Sequence, residues 1–214
     1  MNRRKTKILG LVLTMAIAFC LAGCEQEIHI PTREEITENI NVVSEDGTVI
    51  SYTVADFEKD YYVASELEEM ILEELVDFNL DMQSEVPKDR QPAILNGTHT
   101  SNGKIVVEYT FATGKVYGQY QFLPLDCYTG TVSGAVKAGY LKDAKLFSVK
   151  KGKALDLTTN EKILEKQIVI WQGSTPMFVL SNPEYISANV TISEDMHTLE
   201  IQGAEGEYGF CIMK

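Results

Sequence analysis

Histidine, cysteine and tryptophan are all scarce in this chain. It has three histidines, four cysteines and one tryptophan in 214 residues. Zinc sites draw on clustered His and Cys, whereas His29, His99 and His197 stand far apart, in a polar N-terminal stretch, a loop and a hairpin turn. No metal and no cofactor is therefore expected. The chain also lacks G-x-S-x-G, a Walker loop and G-x-G-x-x-G, which leaves serine-hydrolase, nucleotide and dinucleotide readings without support. Basic side chains are few, 19 Lys+Arg against 31 Asp+Glu. An acidic surface repels nucleic acid and anionic lipid, so nucleic acid is not a partner.

Long apolar runs are missing too, with one exception at the start. MNRRKTK, with Arg3, Arg4, Lys5, Lys7 and no acid, precedes the apolar run from Ile8 to Ala22. About 15 apolar residues are fewer than the roughly 20 that span a bilayer, and the pattern is that of an export signal. The run ends in Leu21-Ala22-Gly23-Cys24 and is followed by the polar EQE. This resembles the lipobox of bacterial lipoproteins. The resemblance implies cleavage between Gly23 and Cys24 and a diacylglycerol thioether on Cys24, with palmitate-like acyl chains holding the protein to the membrane through covalent lipid. One acyl chain binds a membrane marginally, and two or three anchor it. The other readings are ordinary secretion or a retained N-terminal anchor. Cys20 lies inside the apolar run, behaves there as a small hydrophobe, and leaves with the signal.

Residues 1–23 carry four of the 19 bases and no acid, so the remainder holds 15 against 31, a net charge of −16. About 190 residues suffice for one core. Cys127 and Cys211 then either close a disulfide, as an oxidising location permits, or remain two buried thiols. Bridging a loop of about 85 residues would be worth on the order of 4 kcal/mol in the chain-entropy model.

The polar stretch 25–38, EQEIHIPTREEITE, reads as part of a lipidated tether over 24–38, leaving 39–214 as a single globular domain. Asp46-Gly47 between the β-branched runs NINVVS and TVISYTV predicts a hairpin with a type I′ turn. In SELEEMILEELVDFNLDMQ, Leu67, Ile71, Leu75, Phe78 and Met82 mark one apolar face of a helix over about 65–82. Ser65 and Glu68 suggest a capping box, and the acids Glu66, Glu68, Glu69, Glu73, Glu74, Asp77 and Asp81 mostly take the other side. Residues 86–103, with Pro87, Pro92, Gly97 and Gly103, read as a long loop. KIVVEYTFA reads as a strand, with VYGQYQF pairing nearby, and GTVSGAVKAGY as a second short helix over about 131–139 ended by Gly139. From Ala144 the chain is β-rich, with a second hairpin in ISANVTISEDMHTLEIQ. The fold class expected is α+β, an antiparallel β-rich domain packed against one main helix.

DGTVISYTVADFEKDYY, ELEEMILEEL, EYTFATG, GTVSGAVKAGY and YISANVTI together resemble small lipoproteins of gut clostridia and their relatives. That resemblance implies a Gram-positive source and the outer face of the cell membrane. It carries no activity.

Several residues could still do chemistry. The acids of the helix read as a solvated face, since no D-x-[DN]-x-[DN]-G loop exists for Ca²⁺. Cys127 would need a base, with His99 and Asp126 as conceivable helpers, yet LPLDCYTG matches no nucleophile motif. Paired carboxylates for glycoside cleavage converge only in three dimensions. Tyr52, Phe57, Tyr61, Tyr62, Tyr117, Tyr120 and Phe122 either line a sugar or peptide groove or serve as core; Trp171 reads as core. The leading expectation is a non-enzymatic, membrane-anchored module for a protein, peptide or saccharide ligand. A structural or assembly subunit of an envelope complex comes second, and a hydrolytic enzyme third.

Overall fold

The computed structural model describes residues 28–121, 125–157, 160–204 and 206–214. Gly23, Cys24 and the rest of the signal segment, and Phe122, lie outside them. Pro31–Lys214 forms one compact unit, and it holds every strand among the described residues. Among the described residues no helix is long and apolar enough to cross a membrane.

Among the described residues, twelve strands form two mostly antiparallel sheets. In chain order β1 (Ile40–Val43), β2 (Val49–Asp56), β3 (Ala93–Ser101), β4 (Lys104–Phe111), β8 (Met177–Val179), β10 (Val190–Ile192) and β11 (Thr198–Ile201) make a seven-stranded sheet ordered β10-β11-β8-β1-β2-β4-β3. The second sheet, ordered β5-β7-β12-β9-β6, uses β5 (Cys127–Thr131), β6 (Leu146–Ser148), β7 (Gln167–Trp171), β9 (Pro183–Ser187) and β12 (Gly209–Met213). Among the described residues, three α-helices complete the α+β fold: α1 (Ala64–Met82), α2 (Gly114–Tyr120) and α3 (Val132–Lys137).

Alternation along each strand sorts the apolar side chains into layers, because successive residues of a strand face opposite ways. Val43, Met177, Val179, Val169, Trp171, Cys211 and Met213 meet in the central core with Ile71 and Leu75 of α1. Ile168, Ile170, Phe210 and Ile212 point to the far side of the second sheet, where Val132 and Ala135 of α3 cover them. Val42, Tyr52, Val106 and Phe178 form a smaller cluster on the outer side of the first sheet. The unbroken apolar run Ile168–Trp171 thus follows from burial on both faces of β7.

The main helix matches its expected face. Leu67, Phe78 and Met82 pack beside buried Ile71 and Leu75. Its start differs. Val63 is the N-cap and no side chain caps the helix; Glu68 instead accepts a hydrogen bond from the Thr98 hydroxyl at 2.7 Å. Asn79 ties α1 to the edge strand β3, its amide donating to the Ala93 carbonyl and its Oδ1 accepting from the Ala93 N–H.

Three local expectations are corrected. The Asp46-Gly47 turn is not type I′, since only Gly47 has a positive φ of 86°. The Ser44 N–H bonds the Thr48 carbonyl and the Asp46 carboxylate takes the Thr48 N–H, so the connection is a longer loop closed by a left-handed glycine. The stretch expected as a loop over 86–103 contains β3. Asn102 and Gly103, at φ 52° and 73° between paired Ser101 and Lys104, form a type I′ turn, and a bulge between Leu95 and Gly97 takes up the extra residue Asn96. VYGQYQF does not supply a strand: Thr113 accepts the Val116 N–H and starts α2, which turns Val116, Tyr117 and Tyr120 together onto the core. The second expected short helix forms as α3, followed by Gly139 at φ 86°.

The segment 31–38, expected within the tether, belongs to the folded unit. Thr32 and Glu35 cap a 3₁₀ turn over Arg33–Glu35 reciprocally. The Arg33 guanidinium then pairs with Glu108 of β4 at 2.8 Å and donates to the Asn96 and Thr98 carbonyls of β3. A guanidinium that satisfies carboxylate and carbonyls together holds a segment far better than a lone exposed ion pair.

The chain changes sheets between β9 and β10. Asn189 fixes that corner, its amide donating to the Tyr208 carbonyl and its own carbonyl accepting from Gln202. The β10–β11 hairpin expected from ISANVTISEDMHTLEIQ forms, and Asp195 organises its turn. Burial opposes the Asp195 charge, but hydrogen bonds from Ser193, the His197 and Thr198 amides and the Thr198 hydroxyl outweigh it and bring the carboxyl to about 2.

Candidate functional site

The cysteines come first, because a thiol enzyme depends on them. Cys127 on β5 and Cys211 on β12 are both buried and free, so the disulfide alternative is corrected to two separate thiols. Burial, reinforced by the adjacent Asp126 charge, pushes the Cys127 thiol up to about 12. Burial also raises Cys211. A thiol needs its thiolate to attack, and these surroundings suppress it. The histidines do not converge on either. His99 sits on β3 opposite Val106, and His197 Nδ1 contacts the Val179 carbonyl at 2.7 Å while its ring stacks on Phe178. Among the described residues, no three His, Cys, Asp or Glu side chains are placed to hold a metal.

The aromatic set divides. Tyr52 and Tyr117 are buried, and Tyr120 packs against Tyr109, Phe111 and Phe78. Burial raises the Tyr117 hydroxyl to about 12, with the Cys127 sulfur adding to it, and that hydroxyl accepts from the buried Asn41 amide at 2.9 Å. Phe57, Tyr61 and Tyr62 form a partly exposed group, with ring centres 5.1 Å (Phe57–Tyr62) and 5.0 Å (Tyr61–Tyr62) apart.

One carboxylate does gather titratable groups. Asp126 precedes β5 and accepts from the Tyr140 hydroxyl at 2.7 Å on one oxygen and the Tyr208 hydroxyl at 2.6 Å on the other. Its backbone N–H donates to Gln172. Burial first, then the hydrogen bond to Asp126, raises Tyr140; for Tyr208 the hydrogen bond leads and carries it to about 12. Both carboxylate oxygens are engaged within the protein, so the cluster ties the segments before β5, after α3 and before β12 together. A raised phenol stabilises the fold fully below the ordinary tyrosine value near 10 and loses that contribution as pH climbs through the folded value. Stability to urea is therefore expected to fall between pH 10 and about 12, and Tyr208→Phe, which has no proton to lose, should show a shallower fall by circular dichroism. An equally steep fall in that variant would assign the alkaline loss to other tyrosines.

A concavity of about 740 Å³ lies at one end of the second sheet. Its walls include Lys150, Lys151, Lys153, Lys166 and Lys214, with the acids Asp156 and Glu184 and with Tyr185 of β9. The fold builds it from a tight turn: the Gly152 N–H bonds the Ser148 carbonyl, the Ser148 N–H the Lys153 carbonyl, and Gly152 takes φ 62°. That turn projects Lys150, Lys151 and Lys153 from the end of β6. The Lys214 N–H on the Asn182 carbonyl brings a fourth ammonium beside β9. Of the ion pairs among the described residues, one lies here, Lys166 with Glu184. Five of the chain's 19 basic side chains thus line one hollow of a protein with net charge −12. Like charges held together repel, and a multivalent anion entering the hollow relieves that repulsion.

No protein-family model, curated protein or solved structure matches this chain.

Proposed function

We propose that this protein is an exported lipoprotein, held through Cys24 to the outer face of a cell membrane, whose folded unit binds an anionic ligand without catalysing its conversion. The lysine-lined hollow carries the reading. It is concave, has the size of a small-molecule or oligosaccharide site, and sets five lysines against the two acids Asp156 and Glu184 in a chain of net charge −12. Lysine holds phosphate and carboxylate groups as a mobile point charge, so the class of ligand is a phosphate-bearing or carboxylated saccharide or peptide. Tyr185 offers a ring against which a sugar or side chain can pack.

Titration calorimetry with inorganic pyrophosphate, glycerol 3-phosphate and a neutral disaccharide tests it. The two anions should bind saturably and the disaccharide should not. The double variant Lys150→Gln/Lys153→Gln should weaken anion binding at least tenfold with an unchanged melting temperature, and raising salt should weaken it in the parent. Saturable binding that ignores both lysines, or no anion binding at low salt, sinks the proposal.

A further inference from the structure

The outward face of α1 carries apolar side chains that its folding does not require. Leu67, Ile71, Leu75, Phe78 and Met82 already seat the helix on the core. Leu72, Val76 and Leu80 are nonetheless 52%, 59% and 73% exposed. Spaced four residues apart, they form one row along the helix. Glu69, Glu73 and Asp77 are all exposed and lie along the flank of that row at 100° per residue. Nowhere in α1 is there a Lys, Arg or His. Solvation alone would not select this pattern. Exposed helix positions are served as well by Glu, Lys or Gln, and Val is a poorer helix former than any of these.

We propose that this face docks a basic amphipathic segment of a protein partner, in the manner of a helix laid along a helix. Its apolar row covers Leu72, Val76 and Leu80, and its Lys or Arg row meets Glu69, Glu73 and Asp77. Charge complementarity selects this occupant. A second copy of the chain would set one acidic row against another, and an anionic lipid surface would be repelled by the same carboxylates. The lysine hollow takes no part, so this proposal stands apart from anion binding there.

The test uses the full chain and a fluorescent 18-residue helical peptide with a Leu row flanked by Lys, beside a counterpart with Glu in place of Lys. In anisotropy titrations the Lys peptide should bind at least tenfold more tightly than the Glu peptide. Glu69→Lys/Glu73→Lys/Asp77→Lys should invert that order. Leu72→Ser/Val76→Ser/Leu80→Ser should abolish binding of both peptides, with circular dichroism and melting temperature unchanged. Lys-peptide binding that survives the serine variant overturns the proposal in favour of unspecific charge attraction. A dimer in sedimentation that the serine variant dissolves overturns it in favour of a second copy. An environment-sensitive dye on Val76→Cys that responds to phosphatidylcholine/phosphatidylglycerol vesicles and not to the Lys peptide overturns it in favour of a membrane.

Discussion

Trp171→Ala is expected to remove about 3–5 kcal/mol of stability, the cost of deleting a fully buried large aromatic and leaving its cavity. Domains are stable by only about 5–15 kcal/mol, so the variant should be largely unfolded at 37 °C or melt far below the parent. Trp171 is completely buried and sits where β7 pairs with both neighbours, opposite Cys127 on one side and Gly209 on the other. The absence of a side chain at Gly209 makes room for the indole: a Cβ there would lie 3.0 Å from Trp171 Cη2. The same indole carries a liability, since its Nε1 has no hydrogen-bond partner among the described residues. An unpaired buried donor costs roughly 1–3 kcal/mol. Trp171→Phe trades lost ring area for removal of that donor, and should stay within about 1–2 kcal/mol of the parent. Urea unfolding followed by circular dichroism separates the two variants. A phenylalanine variant as unstable as the alanine one would show that the lone N–H carries no penalty.

Cys24→Ser should move the protein off the membrane. On the proposed lipidation, two or three acyl chains would hold the parent stably, because each buried methylene contributes about 0.8 kcal/mol and a single chain alone binds only reversibly. Serine offers no thiol for the thioether. Metabolic labelling with an alkyne fatty acid should mark the parent and leave the variant blank, and the mature variant should pass from the detergent phase to the aqueous phase. Loss of label with unchanged partition would instead point to a retained apolar anchor. Persistent label would place the lipid on another residue.

The β-rich plan, the α1 face and the short helix at 132–137 were legible because each rests on local periodicity. The errors have a common cause in turn chemistry. Asp46-Gly47 and Asn102-Gly103 are both strong turn dipeptides, but the second was submerged in a stretch whose prolines and glycines suggested a loop. Only the tertiary structure shows that a bulge takes up Asn96 and that Pro92 precedes the strand. Thr32 and Glu35 spelled a cap at residues 31–38 that the polar composition concealed; the Arg33 contacts come from strands more than sixty residues away. The hollow was the least legible feature. Lys150, Lys151 and Lys153 are neighbours in the chain but received no reading there, and Lys166 and Lys214 join them only through β9 and the end of β12. Both cysteines are buried, as expected of core thiols, and the folded chain holds them free.

The position of β1 governs the order in which the molecule can be assembled. It lies inside the larger sheet, antiparallel to β2 on one side and parallel to β8 on the other, with Asn41 beside Met177. A chain emerging N-terminus first can close β1, β2, α1, β3 and β4 once Phe111 is out, with β2 pairing β4 across the intervening α1 and β3. The other edge of β1 must wait for residues 177–179. Until then it presents unpaired N–H and C=O groups, the template on which strands of other chains add. Closing so distant a parallel pair is slow on topological grounds, so the interval between synthesis of the two halves is the period in which this protein is most open to aggregation and most dependent on being held unfolded.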